Sequence, residues 1–313
     1  YPAPLTPTDA PVFAPTEEPT TNIVYLPHIS SGTEFRINRL QMFSDGTGWA
    51  LSGVGEWKDL PARVLHTQDN ALTWTDRTPP EPAPLPGSPE KSAVAYFYDA
   101  QHAWVTFTPP DPANASDQPV VWRTGDGGLT WQESAVLSGA SMDTGYSPTQ
   151  FFFSDLQHGW LMSHHGAAAG HTPVSIHLTT DGGMTWQMVA RPMDEQSFPL
   201  HTCCQREMIF FKDHRTGLVA RDVGPIPFPH LIRTTDGGVT WEQLDLPEPE
   251  DNFFQNYYCG TGSLNRLSGD AASVVMNCSE VIPGGNHRSF LFITSNMGAS
   301  WYWEPLPEPV WPT

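Results

Sequence analysis

The sequence predicts an all-β protein, a β-propeller of five blades, each blade a four-stranded antiparallel sheet carrying an aspartate hairpin. Three observations carry this. First, a motif of the form Thr-x-Asp-x-x-x-Thr-Trp recurs along the chain. It appears as HTQDNALTW ending at Trp74, RTGDGGLTW ending at Trp131, TTDGGMTW ending at Trp186, TTDGGVTW ending at Trp241 and, more worn, ITSNMGASW ending at Trp301. Second, the tryptophans lie 57, 55, 55 and 60 residues apart, a period longer than helical-pair repeats and suited to a four-stranded blade with generous loops. Third, 32 Pro, 26 Gly and 12 Trp in 313 residues, with 16% charged, give the punctuation of an all-β chain, and no long apolar run follows helical spacing.

The blades can be laid out in order from their turns. In the third, TQFFF (149–153) and GWLMS (159–163) are strands flanking the turn SDLQH, VSIHLT (174–179) is a third strand after a long loop, and TWQMVA (185–190) is the fourth. The same strand-turn-strand grammar fits LQMFSDGTGWALS, VAYFYDAQHAWVTF, MIFFKDHRTGLVA and SLNRLSGDAASVVM, so five blades fit between about residue 35 and residue 306. IVYLP (23–27) is left over; it either closes the ring by joining the last blade or forms a partial sixth. Residues 1–21, rich in Pro and Thr, read as a flexible tether of the kind expected after a removed signal or lipid anchor, ahead of a single domain at 22–313.

The motif residues read as structural. Asp69, Asp126, Asp181 and Asp236, with Asn296 in the fifth copy, accept hydrogen bonds inside a tight hairpin in which Gly supplies positive φ. Trp74, Trp131, Trp186, Trp241 and Trp301 then enter the next strand and pack between blades. These repeats resemble Asp-box, or BNR, repeats, and are similar to those of sialidase-type propellers and of photosystem II stability/assembly factor-like propellers. SDLQHGWLMS leading to TTDGGMTW carries the second likeness. The resemblance implies the propeller fold, and a function that is either hydrolytic or purely one of binding. In sialidases it implies an early Phe/Tyr-Arg-Ile-Pro arginine, an Asp acid/base ahead of the first box and a Tyr–Glu nucleophile pair. Here FRIN (35–38) places Arg36 with Asn38 in place of Pro, Asp59 precedes the first box, and Tyr257 and Tyr258 can be nominated for the tyrosine. Further arginines marked by a motif are absent.

Charge and side-chain chemistry narrow the functions. A formal charge of −19 argues against nucleic acid and anionic membranes. No phosphate loop, His-Glu-x-x-His or Gly-x-Ser-x-Gly occurs, and no run of apolar residues is long enough for a transmembrane helix. His164, His165, His171 and His201 are expected in loops on one rim, either as solvated side chains or as ligands for a Zn or Cu ion; no cofactor or metal is assigned to them. His102 and His158 occupy equivalent first turns on the other rim and read as repeat ancestry with no shared site. Arg36, Lys91 and Arg206 begin first strands and are expected to ring the channel mouth, paired with carboxylates or attracting an anion.

Cys259 and Cys278 are equidistant from the Ser268-Gly269 turn, which places them opposite one another and predicts a disulfide. Cys203 and Cys204 form either a vicinal disulfide or, from Cys204, a cross-blade link. Four cysteines so arranged imply an oxidising, extracytoplasmic compartment, secreted or associated with the cell envelope. The expected function is non-catalytic recognition of a protein or glycan partner on the long-loop rim, with a glycoside hydrolase of sialidase type as the alternative.

Overall fold

The computed structural model describes residues 37–52, 62–80, 93–108, 119–137, 146–165, 174–191, 205–221, 231–282 and 285–307. Residues 1–21, expected as a tether, and the IVYLP segment lie outside these. Five four-stranded antiparallel sheets follow one another along the chain, each in the order in which its strands occur. Blade one holds β1 (Ile37–Met42), β2 (Gly48–Ser52), β3 (Arg63–Thr67) and β4 (Thr75–Asp76). Blade two holds β5 (Ala93–Phe97), β6 (Ala103–Phe107), β7 (Val121–Thr124) and β8 (Gln132–Glu133). Blade three holds β9 (Tyr146–Phe153), β10 (Gly159–His165), β11 (Val174–Thr179) and β12 (Gln187–Ala190). Blade four holds β13 (Gln205–Phe210), β14 (Gly217–Arg221), β15 (Leu231–Thr234) and β16 (Glu242–Gln243). A single-turn helix, α1 (Phe253–Asn256), leads into β17 (Tyr257–Arg266), β18 (Ala272–Glu280), β19 (His287–Thr294) and β20 (Tyr302–Pro305) of blade five. The protein is thus a five-bladed β-propeller. No helix among the described residues is long and apolar enough to cross a membrane.

First strands of successive blades contact one another, β5 with β9, β9 with β13 and β13 with β17, so they lie nearest the axis. Apolar clusters fill the seams between blades one and two, two and three, and from three through five. One expectation is corrected here. His164 and His165 are strand residues, not loop residues, because β10 keeps finding partners: His164 pairs with Val174 and Ser147, and His165 with Tyr146.

Each aspartate hairpin is built in one way. The Asp181 carboxylate accepts the Thr179 hydroxyl at 2.8 Å, the Thr185 amide at 2.9 Å and the Thr185 hydroxyl at 2.6 Å. Asp69, Asp126 and Asp236 repeat the pattern, and Asn296 accepts the Thr294 hydroxyl and Ser300 amide in the fifth copy. Two consecutive residues in each hairpin have positive φ, which explains Gly-Gly at 127–128, 182–183 and 237–238. The worn copies force Asn70, Ala71 and Met297 into the same left-handed region.

The second glycine has another use. The indole of Trp104 in blade two runs beneath the blade-three hairpin and donates to the Gly182 carbonyl at 2.8 Å; a Cβ on Gly183 would lie 2.7 Å from its Nε1. Trp160 donates likewise to the Gly237 carbonyl of blade four at 2.9 Å. Leu218 takes this place under Gly298 of blade five. Trp49 of blade one donates to the Asp99 carbonyl of blade two at 2.9 Å, and a Cβ on Gly128 would lie 3.3 Å from its ring; for blades five and one both halves are missing. Ser273 stands where blade five would carry the tryptophan, and Ala71 where blade one would carry the second glycine. Among the hairpin tryptophans Trp131 donates to the Arg77 carbonyl of the preceding blade at 2.8 Å, whereas Trp186, Trp241 and Trp301 donate to the Gly183, Gly238 and Gly298 carbonyls of their own hairpins; Trp186 and Trp241 are buried, and Trp74, Trp131 and Trp301 half-buried.

Cys259 pairs with Cys278 in the β17–β18 ladder and the two form a disulfide. Cys203 and Cys204 lie outside the described residues. The disulfide is compatible with an extracellular compartment.

Four outcomes follow for stability. Gly183→Ala should cost about 2–4 kcal/mol, from left-handed strain and overlap with Trp104. Gly269→Ala, at φ 63 with no neighbour within 4 Å, should cost only about 1 kcal/mol; denaturant melts of both check this. Opening the disulfide with Cys259→Ser plus Cys278→Ser closes no loop across a separation of 19 residues and should cost about 3 kcal/mol. Finally, Asp126, Asp181 and Asp236 sit below the usual carboxylate range: partial burial pulls them up, and hydrogen bonds from the hairpin threonines together outweigh it. For Asp69 the Thr73 hydroxyl is the largest influence and also lowers the value. Folded values below the unfolded 3.8 mean stability that is full above about pH 4 and lost as pH falls through the folded values. Asp181→Asn, which copies Asn296, should flatten the acid limb of a Tm-versus-pH curve.

Candidate active site at the start of blade five

The hairpins and the first turns share one end of the propeller, so each first strand starts, and each second strand ends, at the opposite end, the loop face. On that face only the connection into blade five, 244–256, is described throughout. It delivers α1 and then Tyr257, whose ladder partner is Glu280, the last residue of β18. The Tyr257 hydroxyl donates to Glu280 Oε1 at 3.0 Å. The other Glu280 oxygen accepts the Asn286 amide at 3.1 Å, and this bond, followed by the one from Tyr257, holds the carboxyl below its ordinary value.

Arg288 completes the group. Its Nη1 lies 3.1 Å from Glu250 Oε1, and its guanidinium stands 5.2 Å from the centre of the Phe253 ring, 5.8 Å from Tyr257 and 5.1 Å from Phe290. Burial works against its charge, and hydrogen bonds to Tyr257 and Glu250 outweigh this, so its value is raised. Phe253 stacks on Tyr257 with centroids 4.2 Å apart. The Tyr257 ring is buried, whereas its hydroxyl end borders half-buried Glu280 and the partly exposed Arg288. The phenol therefore has a fixed carboxylate to take its proton and a guanidinium beside its oxygen.

The nominated residues are distributed unevenly. Tyr257 joins the cluster; Tyr258, next along the strand, points to the other side of the sheet and is exposed. Arg36, Asp59, Lys91, His171 and His201 lie outside the described residues, and of Arg206 only its position in β13 is described. His165 is buried and bonded to Ser175 at 2.7 Å, and burial lowers the His164 value. The inner wall carries other groups that spacing did not mark. Arg39 lies over the Tyr96 ring at 5.9 Å, the Gln150 amide bridges to Met208 at 2.6 and 3.1 Å, and Glu207 accepts the Leu264 amide. Each links one first strand to the next. A separate cleft of about 370 Å³ between blades two and three, lined by His102, Arg123, Gln132 and Gln157, opens on the hairpin side and holds no comparable pair of phenol and carboxylate.

Glu280 and Arg288 were missed by the sequence reading, although one signal was present. The numbers 257 and 280 sum to 537, as do 259 and 278. The hairpin register that predicts the disulfide therefore also sets Glu280 opposite Tyr257.

Neither a protein-family model nor a curated protein matches this sequence. Solved structures do. An α-L-arabinanase of Penicillium chrysogenum is 15% identical with a TM-score of 0.44, over 73% of this chain and 69% of that one. A putative exo-β-1,3-galactanase of Bifidobacterium bifidum is 13% identical with a TM-score of 0.44, over 85% and 90%. A Trypanosoma rangeli sialidase is 12% identical with a TM-score of 0.46, over 86% of this chain and 47% of that one. The expectation of a non-catalytic binding propeller is not matched by these neighbours, each of which is named as a glycoside hydrolase; the likeness itself transfers no activity to this chain. At such identities no residue is carried over from them.

Proposed function

We propose that the chain is an exported glycoside hydrolase of the sialidase type, with Asp-box hairpins as its scaffold and Tyr257 as its nucleophile. The observation that carries this is the hydrogen bond from the Tyr257 hydroxyl to Glu280, with Arg288 on the phenol. In the first step the Tyr257 oxygen bonds to the anomeric carbon, its proton passes to Glu280, and the bond to the leaving oxygen breaks. The leaving oxygen takes a proton from an acid, for which Asp59, between β2 and β3 in sequence, is the candidate. Water then attacks the anomeric carbon and gives its proton to the Asp59 carboxylate, the bond from that carbon to the Tyr257 oxygen breaks, and Glu280 returns the proton to the phenol. A neutral phenol suits a sugar whose anomeric centre carries a carboxylate, because a carboxylate nucleophile would be repelled by it. Such a substrate would compete with Glu250 for Arg288, with Arg36 as a second cation.

The same contacts would also clamp α1 to blade five, a reading favoured by the burial of Tyr257. Fluorogenic N-acetylneuraminide and arabinofuranoside substrates separate the two. Glu280→Gln should lower kcat by about 10²–10⁴-fold, and Tyr257→Phe should remove activity with Tm changed by no more than one hydrogen bond, about 1 kcal/mol. An inactive wild type, or a fully active Tyr257→Phe, overturns the assignment.

A further inference from the structure

On the hairpin face, three metal-capable side chains meet across the seam between blades three and four. Asp155 and His158 come from the first turn of blade three, and His214 from that of blade four. Their ligand atoms lie within 4.8 Å of one another, with His158 Nδ1 3.0 Å and His214 Nε2 3.3 Å from Asp155 Oδ2. Donors about 2.0–2.2 Å from a tetrahedral ion stand roughly 3.3 Å apart. Asp155 Oδ1 accepts the amides of Gln157 and His158 and lies 3.1 Å from His158 Nδ1, which fixes the carboxylate, and Oδ2 faces both histidines. Ser154 Oγ lies 2.9 Å from His214 Nδ1, so the ring is anchored through one nitrogen and presents the other.

We infer that Asp155, His158 and His214 bind a divalent transition-metal ion of the zinc or nickel class, clipping blade three to blade four. Two imidazoles and one carboxylate suit such ions. The two rings stack with centroids 3.9 Å apart and planes at 13°. Both lone pairs cannot aim at one point from parallel planes, so binding turns one ring out of the stack. Both side chains are about one-third exposed, at 31% and 32%, which leaves a ring solvent to turn into. The neighbouring seam supplies an internal control. Asp99 and His102 repeat the aspartate–histidine pair at 2.9 Å, but Leu156 lines the cleft beside them where a third ligand would be needed.

Calorimetric titration of untagged, chelator-treated full chain with ZnCl2 tests this. Saturable binding is expected in the wild type and in His102→Gln. His214→Asn, which tolerates positive φ, and His158→Gln should each weaken it beyond the roughly 10- to 100-fold that loss of an orienting partner costs, and Ser154→Ala by an amount within that range. Imidazole ¹⁵N shifts of the wild type should change at His158 and His214. No saturable binding by the wild type, shifts confined to other histidines, or binding that survives both histidine variants overturns the inference.

Discussion

The propeller depends on a hairpin that puts two successive residues in the left-handed region while the indole of the preceding blade lies beneath it. These requirements converge on Gly183. Its φ of 90 is open to glycine at little cost, and its missing side chain is the space that Trp104 fills. The aspartate holds the loop in that shape from one side through the threonine hydroxyls and amides. The tryptophan holds it from below through a hydrogen bond to the glycine carbonyl. Loss of either would free the other, because a relaxed hairpin no longer offers its carbonyl to the indole.

This construction separates rigidity from chemistry. The hairpin face is tied down by carboxylates with lowered values and by buried indoles. Tyr257, Glu280 and Arg288 meet at the opposite face. Their placement is nevertheless set by the scaffold. Tyr257 and Glu280 face each other through the β17–β18 register, pinned two residues further along by the Cys259–Cys278 disulfide. In the mechanism proposed above, a nucleophile and base held by strand pairing would need less ordering at the moment of reaction than the same pair on separate loops.

The fold was legible in the sequence because its determinants are local. Asp181, Gly182 and Gly183 act within one hairpin, and the period of the motif counts the blades. The disulfide was legible because a hairpin register follows from its turn. Glu280 was equally accessible by that arithmetic, yet a lone glutamate at a strand end carries no signal until its partner is asked for. Arg288 and Glu250 were not legible at all. They meet across 38 residues through α1 and the curvature of blade five, which no periodicity encodes. A histidine pair before Gly-Ala-Ala-Ala carries little β propensity, and ladder pairing of His164 on both sides and of His165 with Tyr146 overrides it. The clash of Trp104 with any side chain at 183 joins residues 79 apart and needed coordinates.

The coupling between hairpin and indole is measured most directly by a double-mutant cycle on Trp104→Ala and Gly183→Ala, followed by denaturant unfolding. If the second glycine is there to admit the indole, the cost of Gly183→Ala should fall by about 1–2 kcal/mol once Trp104 is truncated, leaving only the left-handed strain. Strictly additive costs would contradict the account, and would mean that Gly183 serves its own turn alone.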